Sequence, residues 1–126
     1  MATITSGSYS TISALADDDF VENYGSWVSI NSSSGNDRII SGGKQVTIKG
    51  ERGDDTLTGD YDGDCFFYQN GDGDDVITNY SFRLNDNLTV TDGSVYKTLF
   101  SGNDLIVSIG SGSVTFKDAK NQAINI

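Results

Sequence analysis

At 126 residues, with 36% hydrophobic residues and no proline, the chain has the length of one domain with room for a core but not an elaborate one. Eighteen acidic residues against eight basic ones give a net charge of −10, which sets the surface against nucleic acid and anionic lipid, and no apolar run approaches the roughly 20 residues that span a bilayer. The absence of histidine removes Ser-His-Asp and Cys-His catalysis and His-ligated zinc, and the single Cys65 closes no internal disulfide.

From the N-terminus onward a short motif returns at a fixed interval. Asp17-Asp18-Asp19-Phe20-Val21, Gly35-Asn36-Asp37-Arg38-Ile39, Gly53-Asp54-Asp55-Thr56-Leu57 and Gly73-Asp74-Asp75-Val76-Ile77 set Asp19, Asp37, Asp55 and Asp75 at steps of 18, 18 and 20 residues. Between them, Ile12, Ile30, Ile48 and Tyr68 mark a second apolar position, with Val28, Val46 and Phe66 two residues earlier. In Trp27-Val28-Ser29-Ile30 and Gln45-Val46-Thr47-Ile48 apolar and polar residues alternate, the period of a half-buried strand. Each coil then holds two short strands, and no coil can bury its apolar residues alone. Stacking the coils in parallel makes the core. The two extra residues of the longest step are expected in 60–64, as a turn that bulges outward.

Beyond about Tyr80 the period stops. Asn87-Leu88-Thr89-Val90-Thr91, Tyr96-Lys97-Thr98-Leu99-Phe100, Leu105-Ile106-Val107-Ser108-Ile109 and Ser113-Val114-Thr115-Phe116-Lys117 read as antiparallel strands. Asp92-Gly93-Ser94, Ser101-Gly102-Asn103-Asp104 and Gly110-Ser111-Gly112 supply the turns. The end of a solenoid exposes strand edges and an open core, so 81–126 is read as a cap on a roll spanning 1–80. The expected fold is all-β: a short right-handed parallel β-roll, a β-solenoid of about 18 residues per coil, capped by C-terminal antiparallel strands.

The acidic half-coils carry a chemistry of their own. Gly50-Glu51-Arg52-Gly53-Asp54-Asp55-Thr56-Leu57-Thr58 fits the nonapeptide G-G-x-G-x-D-x-U-x except at Glu51, and Asn70-Gly71-Asp72-Gly73-Asp74-Asp75-Val76-Ile77-Thr78 fits except at Asn70. In such a turn glycine permits left-handed angles that aim carbonyl oxygens at one point, the Asp adds a carboxylate, and the apolar residue anchors the turn to the core. Two successive turns can enclose one ion with oxygen ligands alone, which suits calcium. Candidate sites lie between Asp19 and Asp37, between Asp37 and Asp55, and between Asp55 and Asp75. Gly35, Gly50, Gly53, Gly71 and Gly73 shape these turns, and Asp17, Asn36, Asp54 and Asp72 flank them. The alternate half-coils put Val28 and Val46 where the Asp would stand, so a single ladder of ions is expected. Asp54, Asp55, Asp60, Asp62, Asp64, Asp72, Asp74 and Asp75 crowd into 54–75 with no basic residue among them. Each contacting pair repels by roughly 1 kcal/mol in water, so the compact state needs a counterion.

These repeats resemble the RTX family of hemolysin-type calcium-binding repeats, from about residue 10 to the end. The stretch from Gly102-Asn103-Asp104 to Asp118-Ala119 is similar to the segment that follows the repeats in many members. The first turn departs from the pattern with Asp17 at the fourth-position glycine, and the second has Ser32-Ser33 in place of Gly-Gly. The resemblance implies export from a Gram-negative-type bacterium by a one-step type I pathway with an uncleaved signal near the C-terminus. That agrees with the lack of a secretory leader pattern at the start.

The expected function is therefore a secreted, non-enzymatic calcium-binding module. With affinities of about 10⁻⁴ to 10⁻³ M it would stay unfolded at cytosolic calcium and fold outside the cell, supporting extracellular folding of a parent protein. Its expected partners are calcium, that parent and the export machinery, with no nucleic acid. Two other readings stay open: a calcium-stabilised adhesion or carbohydrate-binding module that meets a surface glycan through Trp27, Tyr24, Tyr61 and Tyr80, and the detached tail of a larger toxin, protease or lipase. Gly102-Asn103-Asp104 reads as a hairpin turn rather than a further site. Asp60-Tyr61-Asp62-Gly63-Asp64 opens like an EF-hand loop, but Cys65 and Gly71 stand where that loop needs glycine and glutamate.

Overall fold

The period winds the chain back and forth between two sheets. The computed structural model describes residues 3–4, 7–59, 63–80, 85–120, 124 and 126, and its regular structure there is all strand. One sheet receives β1 (Thr3–Ile4), β3 (Phe20–Asn23), β5 (Arg38–Ser41), β7 (Thr56–Gly59) and β9 (Asp74–Thr78). The other receives β2 (Thr11–Ser13), β4 (Ser29–Asn31), β6 (Thr47–Lys49), β8 (Cys65–Tyr68) and β10 (Asn87–Val90). Every pairing among these strands is parallel, so the molecule is a β-solenoid with coils of about 18 residues.

Register follows from the inward residues. Val21, Ile39, Leu57 and Ile77 pair in sequence across the first sheet, and Ile12, Ile30, Ile48, Phe66 and Leu88 across the second. All are at most 3% exposed, and together they form the two walls of one continuous core. A slip of one residue would turn a whole column outward, which is why a side chain repeated once per coil fixes the winding.

Two sequence expectations are corrected here. Phe66, not Tyr68, continues the column of Ile48, because Thr47 pairs with Cys65 and the Cys65 N–H reaches the Val46 carbonyl at 2.9 Å. Both aromatics point inward, so the sequence alone does not choose between them. The choice moves the two extra residues of the longest step out of 60–64 and into the turn at 69–73 that follows β8. Residues 60–62 themselves lie outside the described residues.

The strand at 87–90 is likewise not part of an antiparallel cap. It pairs in parallel with β8 and forms the last rung of the second sheet. A step of 22 residues between Asp64 and Asp86 hides it from a reading by period.

The antiparallel cap begins at β11 (Tyr96–Ser101) and continues through β12 (Asp104–Ile109) and β13 (Gly112–Phe116). β13 then pairs in parallel with β9, which extends the first sheet to the order β1-β3-β5-β7-β9-β13-β12-β11. Both hairpins turn on two residues, with Gly102 and Gly110 first at φ 62° and 59°, as a type II′ turn requires. The Gly102-Asn103 segment is thus the hairpin turn its sequence suggests. Leu105, Val107, Ile109, Val114, Phe116 and Ala119 close the core, and Tyr80 packs edge-on against Phe116 at 4.9 Å.

Candidate metal centre

The corners between the second sheet and the first carry the acidic repeat. Asp19, Asp37, Asp55 and Asp75 stack one per coil, each 1–4% exposed. Their backbones lock the stack: Asp19 N–H donates to Asp37 Oδ1 at 2.8 Å, Asp37 N–H to Asp55 Oδ1 at 2.8 Å, and Asp55 N–H to Asp75 Oδ1 at 3.0 Å. One carboxylate oxygen each of Asp37, Asp55 and Asp75 is spent in this ladder. The other oxygen differs along the column. Asp19 Oδ2 accepts the Leu15 N–H at 3.1 Å, whereas Asp37 Oδ2 and Asp55 Oδ2 are buried with no hydrogen-bond partner. Above Asp75 the column ends at Val114.

Burial without a donor should resist ionisation. Desolvation, with neighbouring carboxylates adding to it, pushes Asp55 up to about 7 and Asp75 up to about 8. Asp37 and the buried Asp72 are raised in the same way, again chiefly by desolvation. Asp72 Oδ2 accepts the Gln69 N–H at 3.0 Å, and the Asp72 carbonyl accepts the Gly53 N–H at 2.9 Å.

The turns are close-packed around these carboxylates. A Cβ at Gly50 would lie 2.1 Å from Asp55 Oδ2. Gly53, at φ 134°, rests on the Gly35 carbonyl, where a Cβ would come within 1.8 Å. Gly73 rests on the Gly53 carbonyl, and Gly35 on that of Asp17, in the same manner. The second-position glycine of the nonapeptide has a conformational reason too: Gly71 takes φ 101° there, and Ser33 and Glu51 are held at φ 74° and 67° in its place.

Asn36 and Asp54 face solvent in an outer ladder. Asn36 N–H donates to Asp18 Oδ1, Asp54 N–H to Asn36 Oδ1 and Asp74 N–H to Asp54 Oδ1, at 2.8, 2.9 and 2.9 Å. Asp17 is also exposed.

The opposite corner holds residues that the sequence reading passed over. Val28 and Val46 are buried there as expected, but the next rungs of the same column are Asp64 and Asp86, both fully buried. Val46 N–H donates to Asp64 Oδ1 at 3.0 Å and Asp64 N–H to Asp86 Oδ1 at 2.9 Å, the bonding of the first column repeated. A Cβ at Gly59 would lie 2.5 Å from Asp64 Oδ2, the relation of Gly50 to Asp55. The signal was present: each Asp precedes a buried apolar residue by two positions, Phe66 and Leu88. Alignment on Tyr68 concealed it.

Of the four aromatics read as a strip, three lie among the described residues, and one of these is in the core. Tyr80 is 3% exposed and donates its hydroxyl to the Asp86 carbonyl at 3.0 Å, and Tyr61 lies outside the described residues. Trp27 and Tyr24 are exposed, with Trp27 stacked on Tyr9 at 5.1 Å and an interplanar angle of 2°, so each covers a face of the other. Cys65 is half-buried against Asn87, and desolvation pushes its thiol up, away from the thiolate that reactivity needs.

Among the described residues no three or more His, Cys, Asp or Glu side chains gather as a metal cluster. What the corner offers is a carboxylate from each of two rungs, with backbone carbonyls around them. The partnerless, buried Asp37 Oδ2 and Asp55 Oδ2 and the glycine cradle fit an oxygen-bound hard cation.

No protein-family model matches the chain, and no curated protein matches it in sequence. Among solved structures it is similar to the extracellular lipase LipA from Serratia marcescens, with a TM-score of 0.76 and 20% identity over 91% of this chain. The chain spans only 20% of the length of that protein. At this identity the likeness is one of fold.

Proposed function

We propose that this chain is an RTX-like calcium-binding module that folds on binding the ion and so supports extracellular folding and type I secretion of a larger parent protein. The observation that carries the reading is the buried carboxylate oxygen Asp55 Oδ2, left without a hydrogen-bond donor, with Asp37 Oδ2 beside it in the column near only the Ser32 hydroxyl, which donates to the Gly50 carbonyl at 3.1 Å. A buried carboxylate in that state costs folding free energy unless a positive charge meets it. Asp37 and Asp55 would hold one ion, Asp55 and Asp75 a second, and Asp64 and Asp86 a third on the opposite corner. A bound calcium supplies the charge that these groups lack, and the residues supply oxygen ligands fixed by the inter-coil ladder. An ion that binds only the folded chain stabilises it by RT ln(1 + [L]/Kd), so stability would follow calcium concentration. At low cytosolic calcium the chain would remain unfolded and threadable, and folding outside the cell would give export a direction. The module itself is read as non-catalytic and extracellular.

Far-UV circular dichroism on the chelated protein, titrated with calcium and with magnesium in parallel, tests this reading. A cooperative, calcium-specific gain of β signal is expected. A β spectrum unchanged from chelator to saturating calcium would refute coupled folding.

A further inference from the structure

The first sheet outruns the second. β11 is its last strand, and among the described residues nothing pairs with its outer edge in the sheet order. All six residues of β11 are exposed on both faces, including Tyr96 at 46%, Leu99 at 65% and Phe100 at 56%. Tyr96, Thr98 and Phe100 stand opposite Ile109, Val107 and Leu105, which are buried, so they belong to the inward face of the sheet. This strand therefore carries a core-facing aromatic surface out past the end of the core. Such an edge is a template for another strand.

Charge selects what can approach it. Residues 1–95, the roll through its last rung, hold sixteen acidic and five basic residues, whereas the cap at 96–126 holds two acidic and three basic. The net negative charge thus sits in the roll, and the cap is close to neutral. Two copies meeting cap to cap bring neutral surfaces together and keep the two acidic rolls at opposite ends. The sequence of β11 is also self-complementary. When two sheets join through a two-fold axis normal to them, opposed residues must share a face, and a register centred on Thr98 satisfies this. It sets Tyr96 opposite Phe100 of the other copy twice over, Thr98 opposite Thr98, and Lys97 opposite Leu99, so the two ammonium groups are not opposed. Aromatic and Thr–Thr cross-strand pairs are among those that stabilise antiparallel sheets.

We infer that β11 is a homodimerisation edge: two copies pair antiparallel through Tyr96–Phe100 in the register centred on Thr98, making one continuous sheet across the two-fold axis. The inference stands on the edge strand and does not depend on the cation reading.

Sedimentation equilibrium of the 126-residue chain, run in calcium where circular dichroism shows it folded, tests it together with three variants. The parent should dimerise with concentration. Tyr96→Glu and Phe100→Lys should each weaken the dimer by about tenfold or more, while circular dichroism stays that of the folded parent because both side chains are exposed. The double variant Tyr96→Glu/Phe100→Lys should regain dimerisation, since the register opposes the new carboxylate at 96 to the new ammonium at 100 of the other copy. A parent that stays monomeric, a dimer indifferent to both single changes, or a double variant no better than the singles would each overturn the proposal.

Discussion

Asp55 does two jobs with its two carboxylate oxygens, and they can be separated. Oδ1 holds the next coil through the Asp37 N–H, while Oδ2 is buried without a donor beside Gly50. Asp55→Asn keeps the acceptor and removes the charge. In chelator at about pH 8 the variant should be more stable than the parent, by about 1 kcal/mol or more, because a desolvated charge is gone. Its calcium response should weaken by about tenfold or more, since Asp55 faces both neighbouring rungs. The far-UV β signal in chelator reads the first effect, and the calcium midpoint of folding reads the second. A variant less stable than the parent in chelator would show that the ionised carboxylate is not a burden on the fold. Gly53 gives the complementary case, a purely conformational one. With φ at 134° and the Gly35 carbonyl 1.8 Å from any added Cβ, Gly53→Ala should cost about 3 kcal/mol or more in the presence of calcium. An unchanged midpoint would mean that the coils can part at this corner at no cost.

At the scale of the strand, stability should depend on position along the stack. Ile48 is buried between Ile30 and Phe66, whereas among the described residues Ile12 has a paired rung on one side only. Removing a buried aliphatic side chain typically costs 2–5 kcal/mol, and less where neighbours can relax into the gap. Ile48→Ala should therefore lie near the upper end of that range, about 4 kcal/mol, and Ile12→Ala near the lower, about 2 kcal/mol, as a stack of nearest-neighbour couplings requires. Equal losses in chemical denaturation would argue against that coupling. The same columns explain what could be read from the sequence. The first acidic ladder and the two apolar walls were legible because one residue per coil sets each of them, and a period survives any local irregularity shorter than a coil. The rung at β10 was not, because the step to it lengthens to 22 residues, and the column of Asp64 and Asp86 was not, because Tyr68 faces inward as Phe66 does and competes with it for the register. Tyr68 and Phe66 both face inward, so only the backbone bond from Cys65 to Val46 decides which of them holds the column.

For the whole molecule, the buried carboxylates link folding to protons as well as to calcium. In the unfolded chain Asp55 and Asp75 would titrate near about 4. In the folded, metal-free chain desolvation raises them to about 7 and about 8, and Asp37 shifts in the same direction. Between those limits the folded state therefore holds protons that the unfolded state has released. Stability must then fall as pH rises through the window from about 4 to about 8, and these groups contribute no slope on either side of it. Calcium removes that slope. It binds the ionised carboxylates and competes with the protons, so above about pH 5 the calcium-saturated chain, like the unfolded one, holds no protons on these groups and its stability should be flat there. The folded fraction read by far-UV circular dichroism at about pH 5 and about pH 8, in chelator and in calcium, should give two lines that diverge toward the higher pH. A metal-free line that rises with pH would mean that the column is ionised and stabilised by its own surroundings, and calcium would then have no deficit of charge to fill.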